Sequence, residues 1–187
     1  MQGNRGKIVV ISAPSGGGKT TIIKELVKIV PNSIRFVTTT TREKREGEQE
    51  AVDYFFISKE EFEKKIENDE FVEYNFYSGN YYGTEKSKLE QSAQKYDFFF
   101  LPIETNGKNN FDKLGIEHIS IFLFPESLEI LRNRIINRGG HTAKEIVERL
   151  GMVKDEIKEA KKYDLVVENK EGHMEETIQK IVDFLGK

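Results

Sequence analysis

The chain has 187 residues, a net charge of −3, 37% apolar and 33% charged residues, and no cysteine. That length fits one domain, or one domain with an inserted lobe, and buries a substantial core. The slightly acidic balance argues against nucleic-acid or anionic-membrane binding, no apolar run approaches the roughly 18 residues of a membrane span, and the missing cysteines remove disulfides, thiolate catalysis and cysteine-ligated zinc.

His118, His141 and His173 are too widely spaced to suggest a histidine metal site. The first six residues lack the apolar segment of a secretion signal, so a cytoplasmic address is expected.

In chain order, the apolar run Lys7-Ile8-Val9-Val10-Ile11 predicts a buried strand, and the residues from Thr21 predict a helix. Between them lies Ser12-Ala13-Pro14-Ser15-Gly16-Gly17-Gly18-Lys19-Thr20. Strand, glycine loop and helix in that order bring backbone N–H groups and a helix N-terminus around one anion. The pattern G-x-x-x-x-G-K-[ST] is met except that Ala13 replaces its first glycine, keeping small size but not the tolerance for positive φ. Ala13 through Gly18, with Lys19, Thr20 and Thr21, are therefore candidate nucleoside-triphosphate-binding residues. Lys19 reaches the terminal phosphates, and the Thr20 hydroxyl is the candidate Mg²⁺ ligand.

Residues 34–38 predict a strand, followed by a polar loop carrying Arg42 and Arg45, then a strand over 53–57. Guanidinium forks beside Tyr54 suit a second, monophosphate dianion, although paired arginines in an acidic loop also suit a solvated turn. Ser58 and Glu61 form a capping-box pattern before a helix burying Phe62 and Ile66. Residues 71–77 predict a strand, and simple alternation puts Phe71, Glu73 and Asn75 on one face, with Val72, Tyr74 and Phe76 on the other. Glu73 there suits the paired N–H groups of a guanine edge, or an ordinary exposed position. A turn at 78–80 leads to Tyr81-Tyr82-Gly83-Thr84. These short strands read as a lobe over 36–86 inserted into a parallel sheet.

Strand–helix alternation then resumes, with a helix over 84–95, a strand over 97–101 stopped by Pro102, a helix over 106–114 and a strand over 119–124. Ser127 caps a helix with Leu128, Leu131 and Ile135 on one face; Gly139-Gly140 break it, and a longer helix carries Ile146, Val147 and Leu150. A strand over 165–167 and a helix using Ile178, Ile181, Val182 and Leu185 complete the chain. Arg134 and Arg138 share a helix face, and Arg149 follows beyond the break. Phosphoryl transfer needs positive charge around the migrating group, which these arginines could supply; solvated arginines balanced by Glu145 and Glu148 are the plainer alternative.

Taken together, the loop at 12–20, the Arg42/Arg45 loop with Tyr54, Glu73 with the Gly79-Asn80-Tyr81-Tyr82-Gly83-Thr84 run, and the later arginines resemble the guanylate kinase family. These are nucleoside monophosphate kinases that pass the γ-phosphate of ATP to GMP, and the likeness spans nearly the whole chain. It implies an α/β fold, with a phosphate-loop parallel sheet flanked by helices (1–35, 87–126 and 151–187), a mixed-β GMP lobe (36–86) and a helical lid (127–150). It implies that Arg42, Arg45, Tyr54 and Tyr82 hold the GMP phosphate, that Thr38, Glu73, Thr84 and Glu104 contact guanine, and that Asn169 lies by the adenosine. Lys19, Arg42, Arg134, Arg138 and Arg149 would serve the transfer itself, with Mg²⁺ accompanying ATP. The family usually carries Leu-Asp-Ile-Asp where this chain has Leu101-Pro102-Ile103-Glu104, so an acid is missing at Pro102. Lys44 replaces a usual proline in the arginine loop. The expected partners are ATP and GMP, with no nucleic acid or membrane, in a monomer or homodimer. A catalytically weakened module of the same family, binding a phosphorylated ligand, is the alternative, and Pro102 is the residue in its favour.

Overall fold

Alternation of buried apolar residues along the first strand sets the architecture. In β1 (Lys7–Ser12), Val9 and Ile11 face one layer and Val10 the other, all fully buried. The computed structural model describes residues 6–77, 79–137 and 143–186, without the side chains of residues 143–145, 148 and 149. Arg138, the Gly139-Gly140 break and the Arg149 side chain lie outside these described residues.

Five parallel strands form the main sheet in the order β2-β7-β1-β8-β9, where β2 is Ser33–Arg35, β7 Phe98–Pro102, β8 Ile119–Pro125 and β9 Leu165–Asn169. One face is covered by α1 (Lys19–Ile29) and α7 (Met174–Leu185), through Ile22, Ile23, Leu26, Ile178 and Ile181. The other is covered by α3 (Lys86–Lys95) and α4 (Thr105–Lys113), with Phe111 and Leu89 against Phe99 and Leu101. The result is a three-layer α/β/α sandwich, as the strand–helix alternation predicts.

A second, four-stranded mixed sheet has the order β4-β3-β6-β5, with β3 at Thr39–Thr40, β4 at Phe55–Phe56, β5 at Phe71–Tyr77 and β6 at Asn80–Glu85. Its outer face is closed by α2 (Lys59–Glu67), whose Phe62 is fully buried and stacks on Phe71 and Tyr81 at ring separations of 4.3 and 5.1 Å. The capping box forms as its sequence predicts, with Ser58 accepting from the Glu61 N–H and Glu61 from the Ser58 N–H.

Several elements depart from the sequence reading. The strand expected over 34–38 ends at Arg35, because the chain leaves the main sheet there to start the second one. Thr84 belongs to β6 rather than to the following helix, since it pairs with Glu73 across the sheet. Simple alternation fails in β5: a bulge between Phe71 and Glu73 sets Val72 and Glu73 against Thr84. Phe71 therefore joins Tyr74 on the Phe62 side, while Val72 packs into the core beneath the main sheet. In α5 (Leu128–Asn137), Leu131 and Ile135 are buried as expected, but Leu128 is largely exposed. Val147 of α6 (Ala143–Glu159) is exposed too, because that helix buries its C-terminal half through Val153 and Glu156.

Candidate active site

The C-terminal ends of β1, β7 and β9 meet at one edge of the main sheet, where open α/β sheets bind ligands. The loop after β1 carries residues 13–18. Gly18 has φ 91° and precedes α1 with no side chain to spare, since a Cβ there would meet the Asn169 Nδ2 at 2.7 Å. Gly17 donates its N–H to the Pro14 carbonyl at 2.8 Å, and a Cβ on it would strike Ala13. Ala13 is buried and its φ is not positive, so alanine costs nothing at that position. Ser15 and Gly16 form the loop tip, and Thr21 points outward from α1. The Thr20 hydroxyl, in the first turn, has no hydrogen-bond partner among the described residues.

Asn169, expected near the adenosine, is buried and donates its Nδ2 to the Gly17 carbonyl at 3.0 Å. It braces the loop. Arg134 reaches the same loop from α5, with Nη1 3.5 Å from the Gly16 carbonyl and Nη2 3.5 Å from Glu171.

Lys19 does not point freely at solvent. Its Nζ donates to the Ala13 carbonyl at 2.7 Å and to both Glu104 carboxylate oxygens at 3.0 Å. Glu104 follows β7, and β7 pairs with β1 in register, which brings the two loops side by side. The Ser12 hydroxyl tightens that junction by donating to the Ile103 carbonyl.

Glu104 also lines a second pocket, with Thr38, Tyr54, Glu73, Asn75, Tyr82 and Pro102. Glu73 is almost wholly buried there, and burial pushes its carboxyl up to about 7 despite a 2.7 Å hydrogen bond donated by Thr84. Gly107 of α4 makes room for it, since a Cβ would lie 3.1 Å from Glu73 Oε2. Thr38 and Thr84 are both buried beside it.

One end of this pocket is phenolic, with Tyr54 and Tyr82, and Arg42 lies behind Tyr54. Arg42 is buried and donates Nη2 to both oxygens of Glu48 at 2.7 and 2.9 Å, with the Tyr54 ring 5.4 Å away. Burial opposes its charge, but the hydrogen bond and attraction from Glu48 outweigh that and raise its pKa further. Glu48 also accepts from the Arg45 N–H, so one carboxylate shapes the whole arginine loop. Tyr82 meets Tyr54 edge to face at 6.0 Å, and burial raises its pKa, keeping the phenol a donor. Tyr81, its neighbour in sequence, turns to the opposite face against Phe62.

Most sequence candidates thus converge: the loop residues with Lys19 on one side, and Thr38, Arg42, Tyr54, Glu73, Tyr82 and Thr84 on the other, with Glu104 between. Sequence reasoning missed the partners Glu48 and Glu171, and the hold of Glu104 on Lys19. For Glu48 the signal was available, an acid six residues after Arg42 in the same loop. Among the described residues, no cluster of three or more acidic or histidine side chains could hold a metal alone, and no helix is long and apolar enough to cross a membrane.

Comparisons with known proteins agree with this geometry. The guanylate kinase family profile matches residues 5–187. The chain is 43% identical over 170 residues to a guanylate kinase of Bacillus anthracis, covering 90% of this chain and 83% of that protein. It is 38% identical over 184 residues to one from Chlorobium chlorochromatii, covering 97% of both. Among solved structures, guanylate kinase from Anaplasma phagocytophilum superposes with a TM-score of 0.78 at 32% identity, over 98% of this chain and 86% of that one. A shikimate kinase from Bacteroides thetaiotaomicron shares only the fold, with a TM-score of 0.52 at 10% identity over 97% and 99% of the two chains. With a phosphate loop, an arginine–tyrosine pocket and a buried carboxylate arranged along one cleft, and a family match over nearly its full length, this chain belongs to the guanylate kinase family.

Proposed function

We infer that the cleft is a two-nucleotide site in which the loop at 13–18 takes ATP and the pocket around Glu73 takes GMP. The chain is an ATP:GMP phosphotransferase, giving ADP and GDP. One observation carries the assignment of the two halves: Glu104 touches Lys19 of the phosphate loop and lines the Glu73 pocket. A carboxylate common to both sites supports donor and acceptor lying next to each other, as direct in-line transfer requires.

Arg42, Arg45, Tyr54 and Tyr82 would bind the GMP phosphate, with Glu48 fixing the arginine fork until the phosphate arrives. Glu73 would accept from the two adjacent N–H groups of guanine, while Thr38, Thr84 and Glu104 complete the contacts to the base. Adenine presents a bare ring nitrogen at the same edge, leaving a buried carboxylate unpaired, and sites of this kind discriminate by roughly 10⁴-fold. Lys19 and Arg134 would neutralise charge on the transferring group. The roles of Arg138 and Arg149 as further cations from the lid at 127–150 rest on the family resemblance alone. The lobe at 36–86 would act as the GMP domain.

Mg²⁺ fits this site as a companion of ATP rather than as a resident ion. The Thr20 hydroxyl, with no hydrogen-bond partner among the described residues, would supply one oxygen, and phosphates and water the rest. Bound there, it would draw charge from the phosphate oxygens. A cytoplasmic address accords with nucleotide substrates.

A coupled assay offering GMP, dGMP, AMP, CMP and UMP, with and without Mg²⁺, tests the reading. Turnover is expected on GMP and to depend on Mg²⁺; comparable turnover on AMP would sink the guanine assignment. Lys19→Ala should abolish transfer while leaving the protein folded.

A further inference from the structure

Asn75 lines the proposed GMP pocket and has no role in the scheme above. It follows Glu73 by two residues on β5, so both side chains face the pocket, and it pairs directly across the sheet with Tyr82. Its position is therefore between the carboxylate proposed for the base and the phenol proposed for the phosphate. Its Nδ2 is buried and has no hydrogen-bond partner among the described residues. A buried, unsatisfied amide donor burdens the folded protein, and such groups call for an explanation. Around it, Thr84 is committed to Glu73, while the Tyr82 phenol lies by Tyr54 and Arg42. Among the side chains lining this pocket, the Asn75 amide is a buried donor to which no described residue offers an acceptor.

We propose that Asn75 is a further substrate-reading residue, whose side-chain amide donates a hydrogen bond to an acceptor on the guanosine part of GMP. This rests on GMP occupying the Glu73 pocket. Guanosine offers acceptors on the base edge and on the ribose, and an amide meets either with the same chemistry. Rotation about the broad, two-fold χ2 of asparagine brings the donor to bear without moving the strand. The nucleotide then offers this donor the acceptor that no described residue provides.

The test is a comparison of Asn75→Ala and Asn75→Asp with the wild type, reading KM for GMP, dGMP and ATP and the melting temperature without nucleotide. Losing one hydrogen bond to a buried donor raises KM for GMP by about tenfold in both variants. KM for ATP should stay within about twofold. Asn75→Ala should melt no lower than wild type without nucleotide, since it removes an unsatisfied group; a residue with a merely structural role would lower the melting temperature instead. An equal loss with dGMP places the contact on the base or a ribose atom other than the 2′-hydroxyl, and a loss confined to GMP places it on that hydroxyl; both support the proposal. Unchanged KM for GMP in both variants overturns it, as does a parallel rise in both substrate KM values with a lower melting temperature. Arg42→Lys and Glu73→Gln run alongside separate the two readings. If they raise KM for GMP and the Asn75 variants do not, Asn75 alone is wrong; if none does, the pocket assignment falls.

Discussion

Glu73 should make this protein less stable as the solution becomes more alkaline, and Glu73→Gln should remove the effect. Its carboxyl titrates near 7 in the folded chain against an ordinary value of 4.5, because burial penalises the charged form more than the Thr84 hydroxyl offsets it. An acid with a raised folded pKa favours folding while protonated. That contribution is complete below 4.5 and is lost as the pH rises through 7. Integrated over the gap, the loss is roughly 3 kcal/mol at pH 8, of which less than about 1 kcal/mol has accrued at pH 5. Glutamine has the same shape and no charge, and its amide can still meet Thr84. Urea unfolding of both proteins at pH 5 and pH 8, without nucleotide, isolates the carboxyl from the titration of GMP itself. The variant should gain roughly 2 kcal/mol over wild type between the two pH values, with equal urea dependence, while its GMP turnover collapses. A stability difference that is the same at both pH values would refute the argument, showing the carboxylate to be solvated or otherwise paired.

Other parts of the molecule give shorter predictions. Glu104→Gln releases Lys19 from a bidentate pair, so KM for ATP should fall by a few-fold while KM for GMP rises; initial-rate kinetics with each substrate varied in turn would separate the two. Asn169→Ala removes the brace on the Gly17 carbonyl, and should raise KM for ATP several-fold with GMP handling unchanged. Phe62→Ala empties the stack between α2 and the second sheet, costing about 3–5 kcal/mol in chemical unfolding and loosening the Glu73 pocket most.

The phosphate loop and the main sheet were legible because their signals are local. Glycines at fixed offsets and runs such as Phe99-Phe100-Leu101 need no partner to be interpreted. The capping box at Ser58 and Glu61 was legible for the same reason. Pairing across the fold was not. Nothing near Lys19 announces that Glu104, 85 residues away, will hold its ammonium group, since that depends on the β1–β7 register. The β5 bulge was hidden too. Alternation in 71–77 is a rule for regular strands, and one extra residue puts Val72 and Glu73 together against Thr84 and sends Phe71 to the Phe62 side. Glu73 faces the pocket even so, because the bulge lies before it and alternation from 73 to 77 is intact.

The Lys19–Glu104 pair bears on the missing acid at Pro102. Proline ends β7 beside Ile11 and brings no carboxylate to the pocket, so the carboxylate available at that strand end is Glu104. It is held by Lys19, whose ammonium has the Ala13 carbonyl as its other partner among the described residues. Arriving phosphates compete for the same ammonium, and a triphosphate carries more charge than one carboxylate. Lys19 should therefore transfer to ATP, and Glu104 should turn to the pocket it already lines. ATP binding would in this way free an acceptor for GMP, so the two substrates should bind cooperatively. Calorimetric titration of GMP with and without a non-transferable ATP analogue measures that coupling. Reciprocity requires the same factor in the opposite order of addition, and Glu104→Gln should bring it close to one.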